Sequence, residues 1–307
     1  VTVLMIVAAV LAVVNVAAFS AYGIDKRRAR LGRWRIPERT LLLLAALGGA
    51  LGARLGMGVF HHKTQKRRFR ILVPLFLVIQ LLAFGFYAAL VIYTSDSYQP
   101  DKTAEAALES SDTVAVTQIR QGWYFDGPGT ESALVFYPGG KVEAQAYAEL
   151  LHALAEGGVD CFLVDMPFNL AFFGVDKAAS IQDAYDFDQW YMGGHSLGGV
   201  AAASYAAKHM DQLDGIVLLA SYSVDDLNGE GFSALSIYGS DDGVLNRSSY
   251  DENLANLPDA AVQTVIEGGN HAQFGNYGQQ KNDGDAAVSA EEQQRQTVDA
   301  ILEFVES

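Results

Sequence analysis

Residues 71–94, ILVPLFLVIQLLAFGFYAALVIYT, run for 24 positions without one charged side chain. In a bilayer no solvent can bond to the backbone, so such a stretch is confined to a helix, whose hydrogen bonds are all internal. At about 1.5 Å per residue it outspans a hydrocarbon core of about 30 Å. Pro74 falls near its start, where a missing N–H costs little, and Tyr87 and Tyr93 lie towards its far end as interface anchors. Residues 1–19 are apolar except for Thr2 and Asn15 and are followed by Asp25-Lys26-Arg27-Arg28. They are expected to form an uncleaved second span, because a signal peptide has basic residues before a shorter apolar core.

The segment between them, 40–60, carries Arg54 and glycines at 48, 49, 52, 56 and 58. Basic clusters flank it at 26–39 and 63–70, and a full crossing would place one of them outside. Since cations are retained on the cytoplasmic side, two spans are favoured. In that arrangement 25–70 is cytoplasmic, 40–60 is re-entrant or interfacial, and both the N-terminus and the chain beyond residue 94 are extracytoplasmic. Three full spans are the alternative. His61 and His62 are adjacent but have no Cys or carboxylate ligand at useful spacing, so they read as interfacial residues and no metal is expected. Through Tyr22-Gly23-Ile24-Asp25-Lys26, Arg35-Ile36-Pro37-Glu38-Arg39-Thr40, Gly48-Gly49, His62-Lys63-Thr64 and Lys66-Arg67-Arg68-Phe69, residues 1–94 resemble a small bacterial membrane domain family of unknown function.

The net charge of −15 conceals a division: residues 1–100 hold 13 Lys/Arg against 3 Asp/Glu, the remainder 8 against 33. The basic part suits an anionic membrane surface and names membrane lipids as partners; the acidic part, at −25, repels nucleic acid. Cys161 is the single cysteine, which excludes an internal disulfide, and it sits in an apolar run as a small core residue. Residues 95–112 are polar and read as a linker or a surface helix leaving the membrane. Neither composition nor motifs indicate an oligomeric state or a cofactor.

Beyond the linker, β-type runs at 113–119, 122–126, 132–137, 159–165, 190–194, 214–220, 233–239 and 261–267 are interleaved with helix-like segments such as 143–156, 197–210 and 289–306. This alternation predicts an α/β domain over 113–307: a mostly parallel sheet with helices on both faces, opening on a less regular antiparallel portion. Only about twelve residues separate Ala220 from Ser233, too few for a large cap domain. The polar, glycine-containing stretch 276–285 reads as a loop near the site.

Gly194-His195-Ser196-Leu197-Gly198-Gly199 follows the β-type Trp190-Tyr191-Met192-Gly193 and precedes Val200-Ala201-Ala202-Ala203. A serine on a sharp turn from strand to helix is forced into a strained conformation, and glycines two positions to either side relieve clashes with the neighbouring strand and helix. The helix N-terminus then faces a reacting carbonyl, with Leu197 N–H placed to stabilise negative charge. Serine is a poor nucleophile near neutral pH, so it needs a base and an orienting acid, which for a fold with this strand-to-helix elbow follow in the chain order Ser, Asp, His. Asp242 lies three residues after Gly239 and two before Val244 at the end of a buried strand, with Asp241 as the fallback acid. Of the six histidines only His271 follows the acid, in a loop directly after the strand-like 262–266, and it is the expected base. A second donor to the oxyanion is expected at Gly140, in the turn Tyr137-Pro138-Gly139-Gly140-Lys141. Phe168, Asn169 and Phe172, in 166–173, read as pocket lining, with core packing as the competing reading.

With these residues in place, 113–307 resemble the α/β-hydrolase superfamily. The likeness is nearest to a compact bacterial subgroup showing Tyr137-Pro138-Gly139-Gly140, Met166-Pro167-Phe168-Asn169-Leu170 and Gly268-Gly269-Asn270-His271-Ala272-Gln273-Phe274-Gly275. The resemblance implies an esterase or lipase acting on a small-molecule or lipid-like ester. Acyl transfer, thioester or amide cleavage would use the same parts. A non-catalytic membrane binding protein on this scaffold is the reading from a different class, and an intact triad argues against it.

Overall fold

Helices α1 (Thr2–Arg30) and α4 (Arg67–Thr94) are the two long apolar rods expected from the sequence. They belong to the first of two units, Val1–Ser95 and Asp96–Ser307, in a computed structural model that describes residues 2–307. Between them lie α2 (Glu38–Leu44) and α3 (Ala50–Val59), joined by a π-type turn, Ala45–Gly49. By length and apolarity Glu38–Val59 is a third helix able to cross a bilayer, beside Leu4–Arg30 and Arg67–Thr94.

The two ends of that middle segment nevertheless meet. Ile36 N–H, just before it, and His62 Nε2, just after it, both bond to the Asp25 carboxylate, at 2.9 and 2.7 Å. Lys63 Nζ likewise reaches Glu38 at 2.8 Å. A straight helix of 22 residues would hold its ends about 33 Å apart. The segment therefore turns back on itself as a helical hairpin, at Gly48, whose φ of 108° is one that side chains rarely tolerate. Gly49, Gly52 and Gly56 serve packing: a Cβ on Gly52 would fall 1.9 Å from Asn15 O, so α3 lies directly against α1. The backbone groups freed at the turn are met by side chains. Asn15 bonds Gly48 O (2.8 Å) and Gly52 N–H (2.7 Å), while Gln80 bonds Ala45 O (2.7 Å) and Ala50 N–H (3.3 Å). Non-helical backbone at membrane depth needs such partners.

The motif residues of this unit thus converge on Asp25, which is fully buried. Arg35 adds a bond at 3.2 Å and Lys63 Nζ stands 3.7 Å away. An unpaired carboxylate in such a place would cost several kcal/mol, which explains the number of donors gathered around it. His62 is therefore buried and bonded rather than interfacial; His61 remains exposed.

In the second unit the sheet has eight strands in the order β1-β2-β4-β3-β5-β6-β7-β8. They are β1 (Ala115–Ile119), β2 (Gly122–Asp126), β3 (Ser132–Tyr137), β4 (Val159–Val164), β5 (Gln189–His195), β6 (Gly215–Leu219), β7 (Ser233–Gly239) and β8 (Val262–Ile266). β1 and β2 pair antiparallel, β2 joins β4 antiparallel, and every remaining neighbour is parallel, as the alternation of elements predicts. Helices α6 (Ala148–Glu156), α7 (Lys177–Gln182), α8 (Leu197–Ala206), α9 (Arg247–Asn253) and α10 (Ala290–Glu306) complete the unit after the short α5 (Lys102–Ala106). All six β3 residues are buried, and the period of two divides them between cores. Leu134 and Phe136 join Leu150, Leu151, Leu154, Ile301 and Phe304 from α6 and α10; Ala133, Val135 and Tyr137 join Ile181, Ala202 and Tyr205 from α7 and α8. At about 1.5–3 kcal/mol for each large apolar side chain removed from water, this central strand anchors both layers.

Residues 96–112 are not a free linker. Tyr98 N–H bonds Lys141 O (2.7 Å), Asp101 N–H bonds Asn276 O (2.8 Å), and Ala104 of α5 is buried. Side chains add to this: Gln99 donates to Glu143 (2.8 Å), and Tyr98 packs against Tyr277.

Candidate active site

Ser196 caps α8 with φ 51° and ψ −122°, the strained turn expected of it. The flanking glycines are sterically required: a Cβ on Gly194 would meet Gly198 C at 2.6 Å, and one on Gly198 would meet Tyr137 O at 2.2 Å. Parallel pairing of β5 with β3 and β6 puts the serine at the carboxyl edge of the sheet, flanked by the ends of two strands. From β6, Leu219 O accepts Ser196 N–H (2.9 Å), and just beyond that strand the buried Ser221 hydroxyl donates to Ser196 O (2.7 Å).

The residues expected as acid and base lie in the loops after β7 and β8. Asp242 Oδ1 accepts Val244 N–H (2.8 Å) and Leu245 N–H (2.7 Å), which fixes the carboxylate in its own turn. Its Oδ2 lies 2.8 Å from His271 Nδ1, and both side chains are 1% exposed. Asp241 is exposed and its carboxylate accepts only the Ser240 hydroxyl at 3.5 Å. Asp242 is thus the residue brought to the imidazole. His271 Nε2 is buried without a hydrogen-bond partner, and it lines the same cavity as Ser196.

On the other side of the serine, Gly140 abuts Leu197, whose Cδ2 would lie 2.8 Å from a Cβ on the glycine. The neighbouring Gly139 N–H is taken by the Tyr147 hydroxyl (3.1 Å), which also stands 2.7 Å from His195 Nδ1. His195 is fully enclosed, and burial, reinforced by the nearby His271, pushes its pKa well below the ordinary value; it is a neutral imidazole. Burial raises the Tyr147 phenol, so that group stays protonated. Together they tie the glycine turn to the residue before the serine.

The cavity over Ser196 and His271 has a volume of about 190 Å³ and is lined also by Leu197, Val200, Ala220, Ser221, Tyr222, Val244, Leu245 and Asn246. Phe168, Asn169 and Phe172 do not line it. Phe168 and Asn169 adopt φ 59° and 52°, and Asn169 O accepts Lys141 N–H (2.8 Å), so this segment braces the turn holding Gly140. Phe168 packs edge-on against Phe173, and Phe172 is about half exposed. A sequence profile described as "Alpha/beta hydrolase family" matches residues 133–295, more than half the chain, and spans Ser196, Asp242 and His271.

The chain belongs to the alpha/beta hydrolase family. Its second unit is a hydrolase with a mostly parallel eight-stranded sheet. Residues 15–69 match a second family, "Protein of unknown function (DUF1294)". Over 83 residues the chain is 47% identical to the uncharacterized protein YsdA of Bacillus subtilis, covering 27% of this chain and 93% of that one. Among solved structures the hydrolase is similar to Est1E from Butyrivibrio proteoclasticus (13% identity, TM-score 0.47), which covers 64% of this chain and 100% of that one. It is also similar to a dienelactone hydrolase from Anabaena variabilis (12% identity, TM-score 0.44), covering 64% and 95%. The walls of the hydrolase cavity escaped the sequence reading. Ser221 and Tyr222 directly follow β6, and their position after a strand next to the elbow was the available signal.

Proposed function

We propose that this chain is a membrane-anchored serine hydrolase that cleaves short-chain carboxylic esters through an acyl-enzyme. The observation that carries the reading is the buried 2.8 Å pair of Asp242 and His271, with the free Nε2 of that imidazole lining one cavity with Ser196. Ser196 Oγ attacks the ester carbonyl while His271 Nε2 takes its proton. Asp242 holds the Nδ1–H tautomer and stabilises the imidazolium. Leu197 N–H, at the start of α8, and Gly140 N–H hold the oxyanion. His271 then returns the proton to the departing alcohol, and water repeats the sequence to release the acid.

The acyl group occupies the cavity between Val200, Tyr222, Val244 and Leu245. That cavity, about 190 Å³, is smaller than a drug-sized ligand site, which favours a short acyl chain over a long one. Across a series of esters of one alcohol, kcat/KM is expected to peak between acetyl and butyryl and to fall at least about tenfold by octanoyl, since each misplaced methylene costs about 1 kcal/mol or more. A maximum at long chains would overturn the acyl limit; no turnover of any ester would overturn ester cleavage.

The anchor is α1 and α4, with the α2–α3 hairpin re-entrant between them. The hairpin sets the cations of 26–39 and 63–70 on one face, and α4 carries the chain from that face across the bilayer. Cations are retained inside, at roughly 1 kcal/mol each near an anionic surface, so the hydrolase lies outside the cytoplasm. Protease added to intact spheroplasts should degrade the hydrolase and spare a cytoplasmic control. Protection until lysis would reverse the orientation.

A further inference from the structure

We infer that Asp283 is a positioning residue that fastens the acid loop to the base loop; the inference rests on the triad proposed above. The Asp283 carboxylate accepts backbone N–H groups from both loops: Gly243 (3.1 Å), which follows the acid, and His271 (3.2 Å) and Ala272 (2.8 Å), the base and its successor. Its own neighbour Gly284 donates a fourth bond (2.8 Å). Asp283 is thus bonded to the residue after the acid and to the base itself, while touching neither reacting side chain through a hydrogen bond of its own. A carboxylate accepting several N–H groups is held tightly, because each charge-assisted bond is stronger than a neutral one.

The strap that carries Asp283 is itself anchored. Asn276 N–H bonds Ala146 O (2.6 Å), Lys281 N–H bonds the Tyr98 hydroxyl (3.1 Å), and Gly284 O accepts Asn270 Nδ2 (2.9 Å). Gly284 lies so close to the acid loop that a Cβ there would fall 1.9 Å from Asp241 O. The loops after β7 and β8 therefore do not hold their register by direct contact alone. The strap supplies one charged acceptor common to both, and that fixes the approach of Asp242 Oδ2 to His271 Nδ1.

The test uses the full chain in detergent and two variants on one strap, Asp283→Ala and Asp285→Ala, the latter removing an exposed carboxylate that has no bond to either loop. Three quantities are read: kcat and KM for a short activated ester, the thermal midpoint, and the low-field proton resonance of the Asp242–His271 hydrogen bond. A displacement of about 1 Å at a reacting group costs on the order of 100-fold. For Asp283→Ala, kcat is expected to fall by that order with KM within twofold, and the resonance to disappear while the protein remains folded; Asp285→Ala should resemble the parent in all three. A kcat within twofold of the parent, or a retained resonance in Asp283→Ala, would overturn the inference. Should the parent turn over no ester, the resonance in the two variants still decides it, so failure of the positioning role and failure of the esterase reading remain distinct.

Discussion

Replacing Ser196 with alanine is expected to lower kcat for a short activated ester by roughly 10⁶-fold, the scale seen when the nucleophile of a serine triad is removed. The loss is this large because no neighbouring group substitutes. Ser221, which lines the same cavity, is buried and spends its proton on Ser196 O. The fold should survive. The strained turn is imposed by the packing of Gly194 and Gly198 rather than by the serine hydroxyl, and alanine at φ 51° is no more strained than serine. The check is a pair of measurements on one preparation, initial rates and the thermal midpoint. Activity within tenfold of the parent, with the protein folded, contradicts the assignment.

Asp242→Asn is expected to cost about 10⁴-fold in kcat, and Asp241→Asn less than about twofold. The difference follows from the hydrogen bonds that surround the two residues. Val244 N–H and Leu245 N–H require an acceptor at the position of Asp242 Oδ1. An asparagine there must keep its oxygen on those donors, which turns its NH₂ towards His271 Nδ1. The imidazole then accepts at Nδ1 and carries its proton on Nε2, the wrong tautomer for a base. The Asp241 carboxylate, exposed and accepting from the Ser240 hydroxyl, imposes nothing on the ring. Equal losses in kcat/KM from the two variants would remove Asp242 from its role.

The contrast between these neighbours shows where sequence reasoning succeeded and where it stopped. The elbow was legible because its chemistry is local: a strand, a strained serine, two glycines and a helix occupy one short stretch. Strands β3 to β7 were legible because buried parallel strands are written as apolar runs, and the antiparallel entry was anticipated too. Helices α7 and α9, at six and seven residues, are too short to show a period of 3.6 and were missed. The cavity was not legible, since Val200 on α8 and Tyr222 and Leu245 on two different loops are far apart in the chain and meet only in the fold. Phe168 and Asn169, read as pocket lining or core packing, stand outside the cavity over Ser196 and brace the glycine turn, and nothing in their side chains announces two successive left-handed residues. In the first unit, the meeting of both basic clusters was argued from charge alone. What the sequence could not display was the means, Asp25 and Glu38 gathering Ile36, His62 and Lys63 across a hairpin.

The central claim is that Ser196 is the nucleophile, and labelling with a fluorophosphonate tests it most directly. Ser196 Oγ displaces fluoride from phosphorus as His271 takes the proton, leaving a stable covalent adduct on the elbow peptide. Mass spectrometry of the digested full chain should locate one adduct, on Ser196, that is absent from Ser196→Ala and formed far more slowly by Asp242→Asn. An adduct on another serine, or an unlabelled Ser196 in a preparation that still hydrolyses esters, would contradict the account.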